Sequence, residues 1–209
     1  MSKSIGILSC VTFAAALAIT PPASAQTSQW CPPAGTVIKS TNSGGETTTT
    51  TKGADPADST VCMSVTVGTG VSGTDYGKLM RRLYGWYDLT NYTHPQETMK
   101  NARDGLGAIL SGRIQEISFE MTTVTASASY VWSGTQTWKR MGETTISIGG
   151  HPTKVIMLRS SFKGGANSNY DGYSDVWVDP ALHIWVKLEE HAVGGPVRFA
   201  SEVVSVTPP

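Results

Sequence analysis

The chain is poor in charge. Only 15% of its 209 residues are Asp, Glu, Lys or Arg, and acids and bases balance to a net charge of zero. Neither a nucleic acid nor an anionic surface is implied as a partner. Cysteine is scarce as well, with three in the chain at positions 10, 31 and 62. Histidine occurs four times, at 94, 151, 183 and 191, and none of these shows the paired spacing of a zinc site. Gly-x-Ser-x-Gly is missing, so the usual elbow of a serine nucleophile is excluded. Repeats of 20–50 residues are absent too, which excludes solenoids and propellers. Beyond the N-terminus no segment is apolar enough to span a bilayer as a helix.

What is abundant is threonine, serine and glycine, a composition that suits an exported, β-rich protein. Export is read at the N-terminus. Lys3 gives a positive start, an apolar stretch runs from Ile5 to about Ile19, and Pro21-Pro22 break it. Ala23-Ser24-Ala25 fits the small-x-small cleavage rule. Residues 1–25 read as a signal peptide and 26–209 as a single β-rich domain in the periplasm or outside the cell. A membrane anchor is the rival reading, but the apolar run falls short of the roughly 20 residues of a span. A second rival is lipidation at Cys10, preceded by Ile7-Leu8-Ser9. Too few apolar residues precede Cys10 for a working hydrophobic region.

Cleavage leaves Cys31 and Cys62. In an oxidising compartment an even pair is most simply a disulfide, closing the segment 31–62; two buried thiols are the alternative.

Along the chain, strands are expected at Thr36–Ser40 and Thr47–Thr51, turning at Ser43-Gly44-Gly45, and at Thr60–Val67. A disordered linker is the other reading of the threonine run. Lys78–Leu89 mixes helical spacing with Gly85-Trp86-Tyr87 and leans towards strand. The clearest helix is Pro95–Leu110, with Thr93 or His94 as cap and Pro95 in the first turn. Met99, Ala102, Leu106, Ile109 and Leu110 form its apolar stripe. Gly105 and Gly107 weaken it by about 1 kcal/mol each, unless they permit close packing on a sheet. Strands then follow at about 113–123, 129–140, 143–148, 153–162, 173–178, 183–190 and 198–206. Short turns at the glycine pairs 149–150, 164–165 and 194–195 make neighbours antiparallel.

The stretch Gly142 to Leu188 organises this meander: Glu143-Thr-Thr-Ile-Ser-Ile-Gly-Gly-His-Pro, a long apolar run, Asp175-Val-Trp-Val-Asp-Pro, then Ile184-Trp-Val-Lys-Leu. The pattern resembles one found in uncharacterised exported bacterial envelope domains. Through them it is similar to the LolA-like lipoprotein-carrier half-barrels. The resemblance covers about a quarter of the chain and rests on turn chemistry and alternation. It implies an α+β fold, a mainly antiparallel curved sheet with one docked helix in its concavity, and it carries over no catalytic residue.

Candidate chemistry is sparse. Asn167-Ser-Asn169-Tyr-Asp171-Gly172 matches the first half of a calcium loop, but position 12 is Val178 where a bidentate Glu is needed. A polar turn explains the same residues. Glu189 and Glu190 alternate across a strand, so they face opposite ways. Asp175 and Asp179 share a face and bracket Trp177, an arrangement that serves glycoside chemistry or sugar binding, or marks a solvated edge. Tyr130, Trp132 and Trp138 share one strand parity. Trp177 and Trp185 lie in the last hairpin. Core packing is the plain reading of these rings; the functional one is an apolar or glycan-stacking groove lined by Trp132, Trp138, Trp177 and Trp185.

The function expected is non-catalytic: an envelope module that binds or carries an apolar or amphipathic ligand, with no cofactor and no metal. The alternative is a structural or partner-binding envelope protein with no small-molecule site, and a hydrolase is third. Because the twelfth calcium ligand is missing, millimolar calcium should leave the melting temperature unchanged. A rise of several degrees that Asp171→Ala abolishes would reverse that reading.

Overall fold

The computed structural model describes residues 30–69, 75–84, 86–89, 92–93, 96–125, 131–164, 171–192 and 194–209. The leader with Cys10, the helix start at Pro95 and residues 167–170 of the Asn167–Asp175 loop fall outside these residues, as does the side chain of Trp132, and the rest of that loop is strand.

The strands are β1 (Val37–Asn42), β2 (Gly45–Asp55), β3 (Asp58–Thr69), β4 (Asp75–Leu83), β5 (Tyr87–Asp88) and β6 (Tyr92–Thr93). Then come helix α1 (Gln96–Leu110) and β7 (Glu116–Thr125), β8 (Val131–Ile148), β9 (His151–Gly164), β10 (Asp171–Asp179), β11 (Ile184–Ala192) and β12 (Val197–Thr207). All of them join one antiparallel sheet in the order β5-β4-β3-β2-β1-β12-β11-β10-β9-β8-β7-β6. The threonine run is therefore a strand. Each threonine is β-branched, and the alternation buries Thr49 and Thr51 while Thr48 and Thr50 stay half-exposed.

The sheet is curved and unclosed, and covalent geometry shows how far it curls. Laid flat, β5 and β8 would lie nine strand spacings apart, about 43 Å. Instead Tyr87 Oη donates to Gln136 Oε1 at 3.2 Å, and the Trp86 and Trp138 ring centroids are 4.8 Å apart. Residues 89–91 alone separate the two edge strands in sequence, so Asp88 and Tyr92 can be no more than about 14 Å apart.

Helix α1 fills the seam this leaves. On one side it lies beside β7: a Cβ on Gly105 would meet Ile117 Cδ1 at 2.1 Å. On the other, a Cβ on Gly107 would meet Tyr84 Oη at 3.0 Å, and Tyr84 Oη donates to the Arg103 carbonyl at 2.8 Å. The two glycines cost helix propensity and gain close approach on both flanks. Arg103 reaches back to Asp58 and to Thr60 Oγ1 at the start of β3. The last turn of α1 holds no basic residue. Arg140 of β8 supplies the charge instead, donating to the Ile109 and Leu110 carbonyls at 3.1 and 3.0 Å. Gly112, at φ 72°, ends the helix.

The helix docks on the inner face, sharing one core with Leu158 and Val176, and sits at the β7–β8 side of that face beside Tyr84. Two expectations are corrected. The strands expected at 129–140 and 143–148 are one strand, because Met141 is accommodated as a bulge opposite Leu158 and Met157. Thr93 pairs with Val124 in β6 rather than capping α1.

The main core joins Ala102, Leu106 and Ile109 of the helix to Val61, Leu83, Trp86, Tyr87, Phe119, Trp138, Ile156, Leu158, Phe162, Val176 and Val178. A second cluster, of Ile38, Ile148, Val155, Ile184, Val186 and Val203, forms where the β8–β9 hairpin tip meets β10–β12 and β1. Ile109 is wholly buried. An Asp there would place a carboxylate in the stopper at a cost of several kcal/mol, a large part of a typical domain's stability. Ile109→Asp should lose cooperative thermal unfolding by circular dichroism, whereas Ile109→Val should melt only a few degrees lower.

Candidate functional site

Register fixes which side chains share a face, because opposed residues of paired strands point the same way. The concave row across β8–β11 reads Trp138, Ser160, Ser174 and Glu190, with Arg140, Leu158, Val176 and Leu188 beside it. Trp138 is 5% exposed and is packed by Trp86 and Tyr87. Gln136 Nε2 donates to Ser160 Oγ at 3.1 Å within the same core. In β1–β3 the concave face is lined by small polar residues: Ser40, Thr49, Thr51, Ser64 and Thr66 are buried, and the Thr49 and Thr66 hydroxyls share a hydrogen bond at 2.8 Å. The void between them and Ile184 is about 20 Å³, room for roughly one water. The described side chains on this part of the inner face are largely buried.

The opposite face of β9–β11 carries three cross-strand rows: Met157–Trp177–Lys187, Arg159–Asp175–Glu189 and Ser161–Tyr173–His191. Their side chains form one connected array. Arg159 clamps Asp175 through Nε and Nη2 at 2.7 and 2.8 Å, and that carboxylate holds the guanidinium above its ordinary pKa. The same guanidinium lies 4.5 Å from the Tyr173 ring centre, and Tyr173 stacks on His191 at 4.4 Å. Lys187 sits 4.8 Å from the Trp177 ring and 2.8 Å from Glu189. His191 Nε2 is buried, 3.7 Å from Glu189 Oε2.

Of the tryptophans named from the sequence, Trp138 is in the main core, Trp185 packs at its margin below Arg82, and Trp177 belongs to the opposite face, while the side chain of Trp132 lies outside the described residues. The sharing of one face by Asp175 and Asp179 does not make a solvated edge, for they are 6% and 4% exposed. Asp175 is spent on Arg159, and Asp179 Oδ1 accepts from the Ala181 and Leu182 amides to shape the β10–β11 turn. Glu189 and Glu190 do face opposite ways. Among the described residues no group of His, Cys, Asp or Glu could hold a metal.

Cys31 and Cys62 are joined by a disulfide. It pins the segment before β1 to β3 and sets Trp30 against Tyr84 at 4.8 Å and His183 at 5.6 Å. Tyr84 and His183 are the non-glycine residues with left-handed backbone, at φ 52° and 53°, among the described residues. Sequence reading gave the disulfide but missed the ring contacts of Trp30 and the array. The array was legible only as alternation on three separate strands, whose register nothing local specifies.

Burial raises the pKa of the Tyr84 phenol and acts on two further titratable groups. It lowers the His183 pKa, partly opposed by Asp179, and raises that of Glu190. For Glu190 a folded pKa above the unfolded one means that the fold favours the neutral acid. Its contribution is fully present below the ordinary glutamate value and lost as pH rises through the folded value. Glu190→Gln should therefore raise the melting temperature at pH 7 and leave it nearly unchanged at pH 4.

No protein-family model matches the chain, and no curated protein matches it. Its fold is similar to that of a hypothetical lipoprotein, YmcC, from Escherichia coli, with a TM-score of 0.50, 11% identity, and coverage of 87% of this chain and 89% of that one. A protein from Bacteroides fragilis described as exported and YmcC-like in fold matches at TM-score 0.45, 8% identity, over 85% and 97% of the two chains. A protein from Parabacteroides distasonis described as a lipoprotein matches at TM-score 0.44, 11% identity, over 85% and 98%. The first likeness speaks for the curved-sheet fold and not for the LolA-like carriers in particular.

Proposed function

We propose that this is an exported, non-catalytic protein of the bacterial envelope that works by binding a partner polypeptide rather than by carrying a ligand in its concavity. Export rests on the N-terminal leader pattern and agrees with the lipoprotein description of the E. coli structure that shares the fold. One observation carries the choice between the two binding readings: the concave core is occupied by Trp86, Tyr87, Trp138, Phe119 and Phe162 together with helix α1. A carrier needs a space of some hundreds of Å³ there. The void found in the other half of the concavity holds about one water.

The face opposite the core supports a surface role. Trp, Tyr and Arg are the residues that most often anchor protein interfaces. Here Trp177, Tyr173 and Arg159 are held in place by ion pairs and ring contacts, so little side-chain entropy remains to be lost on binding. The carboxylates that hydrolysis would need are committed to Arg159 and to a turn.

The test is an apolar dye, 1-anilinonaphthalene-8-sulfonate, titrated into the mature protein while tryptophan emission is followed. Neither saturable dye emission nor tryptophan quenching is expected. Saturable uptake with quenching, reduced by Trp185→Leu in a variant that still melts cooperatively, would overturn the proposal and restore the carrier reading.

A further inference from the structure

An open cleft of about 460 Å³ lies between the segment before β1 and the C-terminal half of α1. It is lined by Trp30 and Tyr84, by Arg103, Gly107 and Ala108 of the helix, and by Arg113 just beyond it. The helix surface is low there because residues 107 and 108 are glycine and alanine. Trp30 is held from several directions. The disulfide ties its neighbour Cys31 to Cys62 of β3. Its ring lies 4.8 Å from that of Tyr84 and 5.6 Å from that of His183. Tyr84 and His183 are also the residues other than glycine that hold left-handed backbone among the described residues. For bulky side chains that conformation persists only where the surroundings over-determine it, and such strain gathers at active sites and ligand clamps. A tight turn alone would be met by glycine or asparagine. Here both instances, from distant parts of the chain, touch one ring, and that ring lines a cleft.

The charges around the cleft are not all matched. Asp104, which also lines it, is held by Lys100 at 3.0 Å. Arg103 is held by Asp58 and by Thr60 Oγ1. Arg113 is exposed and gives its Nε to the Ser111 hydroxyl at 3.0 Å, a neutral partner. Among the described residues no carboxylate pairs with it. The two Nη groups of its planar fork are the part of a guanidinium that takes a carboxylate in bidentate fashion. The cleft therefore joins an indole wall and a bare helix surface to one cation whose charge no acid neutralises.

We propose that this cleft holds the C-terminal residue of a partner polypeptide, with its carboxylate on Arg113 and an apolar side chain between Trp30 and the surface of Gly107 and Ala108. A chain end carries a carboxylate and a side chain on one Cα, whereas an internal acidic residue brings the charge without the apolar group. Because the cleft is open to solvent, a chain end enters it with α1 in place. This rests on the reading of the protein as a partner-binding one and names the contact.

The probe is the peptide N-acetyl-Gly-Gly-Phe with a free carboxylate, titrated into the isotope-labelled mature protein. The same peptide as its C-terminal amide, and phenylpropionate, are the controls. The Trp30 indole N–H resonance, identified by its loss in Trp30→Phe, should shift saturably with the acid, with a Kd of about 1 mM or below. The amide and phenylpropionate should bind about tenfold more weakly or not at all. Arg113→Gln, at an exposed position, should melt with the wild type and weaken binding of the acid by about tenfold. Ala108→Glu keeps a good helix former and Arg113 but puts a carboxylate in the cleft, and it should abolish binding. No saturable shift with the acid, equal binding of acid and amide, or binding that Arg113→Gln leaves unchanged would overturn the assignment. Phenylpropionate binding as tightly as the peptide would overturn the chain end as occupant. Dye uptake by the core is a separate result: it would overturn the partner-binding reading, whereas the peptide titration reports on this cleft alone.

Discussion

The contact on which the molecule depends is the clasp of helix α1 between Ile117 and Tyr84. A sheet of this width cannot bury its concave face by curling alone, because its edges do not pair with each other among the described residues. Gly105 and Gly107 let the helix backbone sit close to the sheet on both flanks, so a short helix fills a gap that bulkier residues would hold open. Once it is seated, Leu106 and Ile109 meet Leu83, Val61 and the Trp86–Trp138 pair, and the two ends of the sheet share one core. Arg140 and Arg103 orient the helix without adding apolar area. One satisfies its C-terminal carbonyls from β8, the other ties it to β3.

The described inner face of the sheet is built largely as core. Half-barrel sheets hold ligands when their inner residues leave room, and here the inner residues are large aromatics on one side and tightly paired hydroxyls on the other. Trp138, one of the positions named for a groove, is part of the core. Chemistry that looks out of place on a solvent-facing sheet is then found on the opposite face, where an arginine, two aromatic rings, a histidine and two carboxylates are packed in register. Three strands that meet only in the folded sheet build it. Asp175 and Trp177 were read together in the sequence, but their partners on the neighbouring strands were not.

Much of the architecture was legible because it is locally encoded. Alternation in Val155–Phe162 and Ile184–Leu188, the glycine turn at 149–150 and the β-branched run of threonines each force a strand whatever their neighbours do. The helix stripe was equally plain, and the two glycines within it already hinted at close packing. The bulge at Met141 was not legible, since it depends on which residue of β9 lies opposite. Nor was the fate of the tryptophans. Parity put Trp138 on one strand face with Tyr130 and Trp132, but whether that face met a groove or a core turned on how tightly the sheet curls.

By itself, then, the sequence determined the secondary structure, the antiparallel class and the even cysteine pair, because each is a matter of neighbours a few residues apart or of compartment. Only the tertiary structure decided that the helix would stopper a seam, that Asp175 and Asp179 would be consumed by Arg159 and by a turn, and that Trp138 would be packed by Trp86 and Tyr87. Those outcomes depend on sheet curvature and strand register. Both are set by the sum of many weak contacts between residues far apart in the chain, and no single stretch of the sequence carries them.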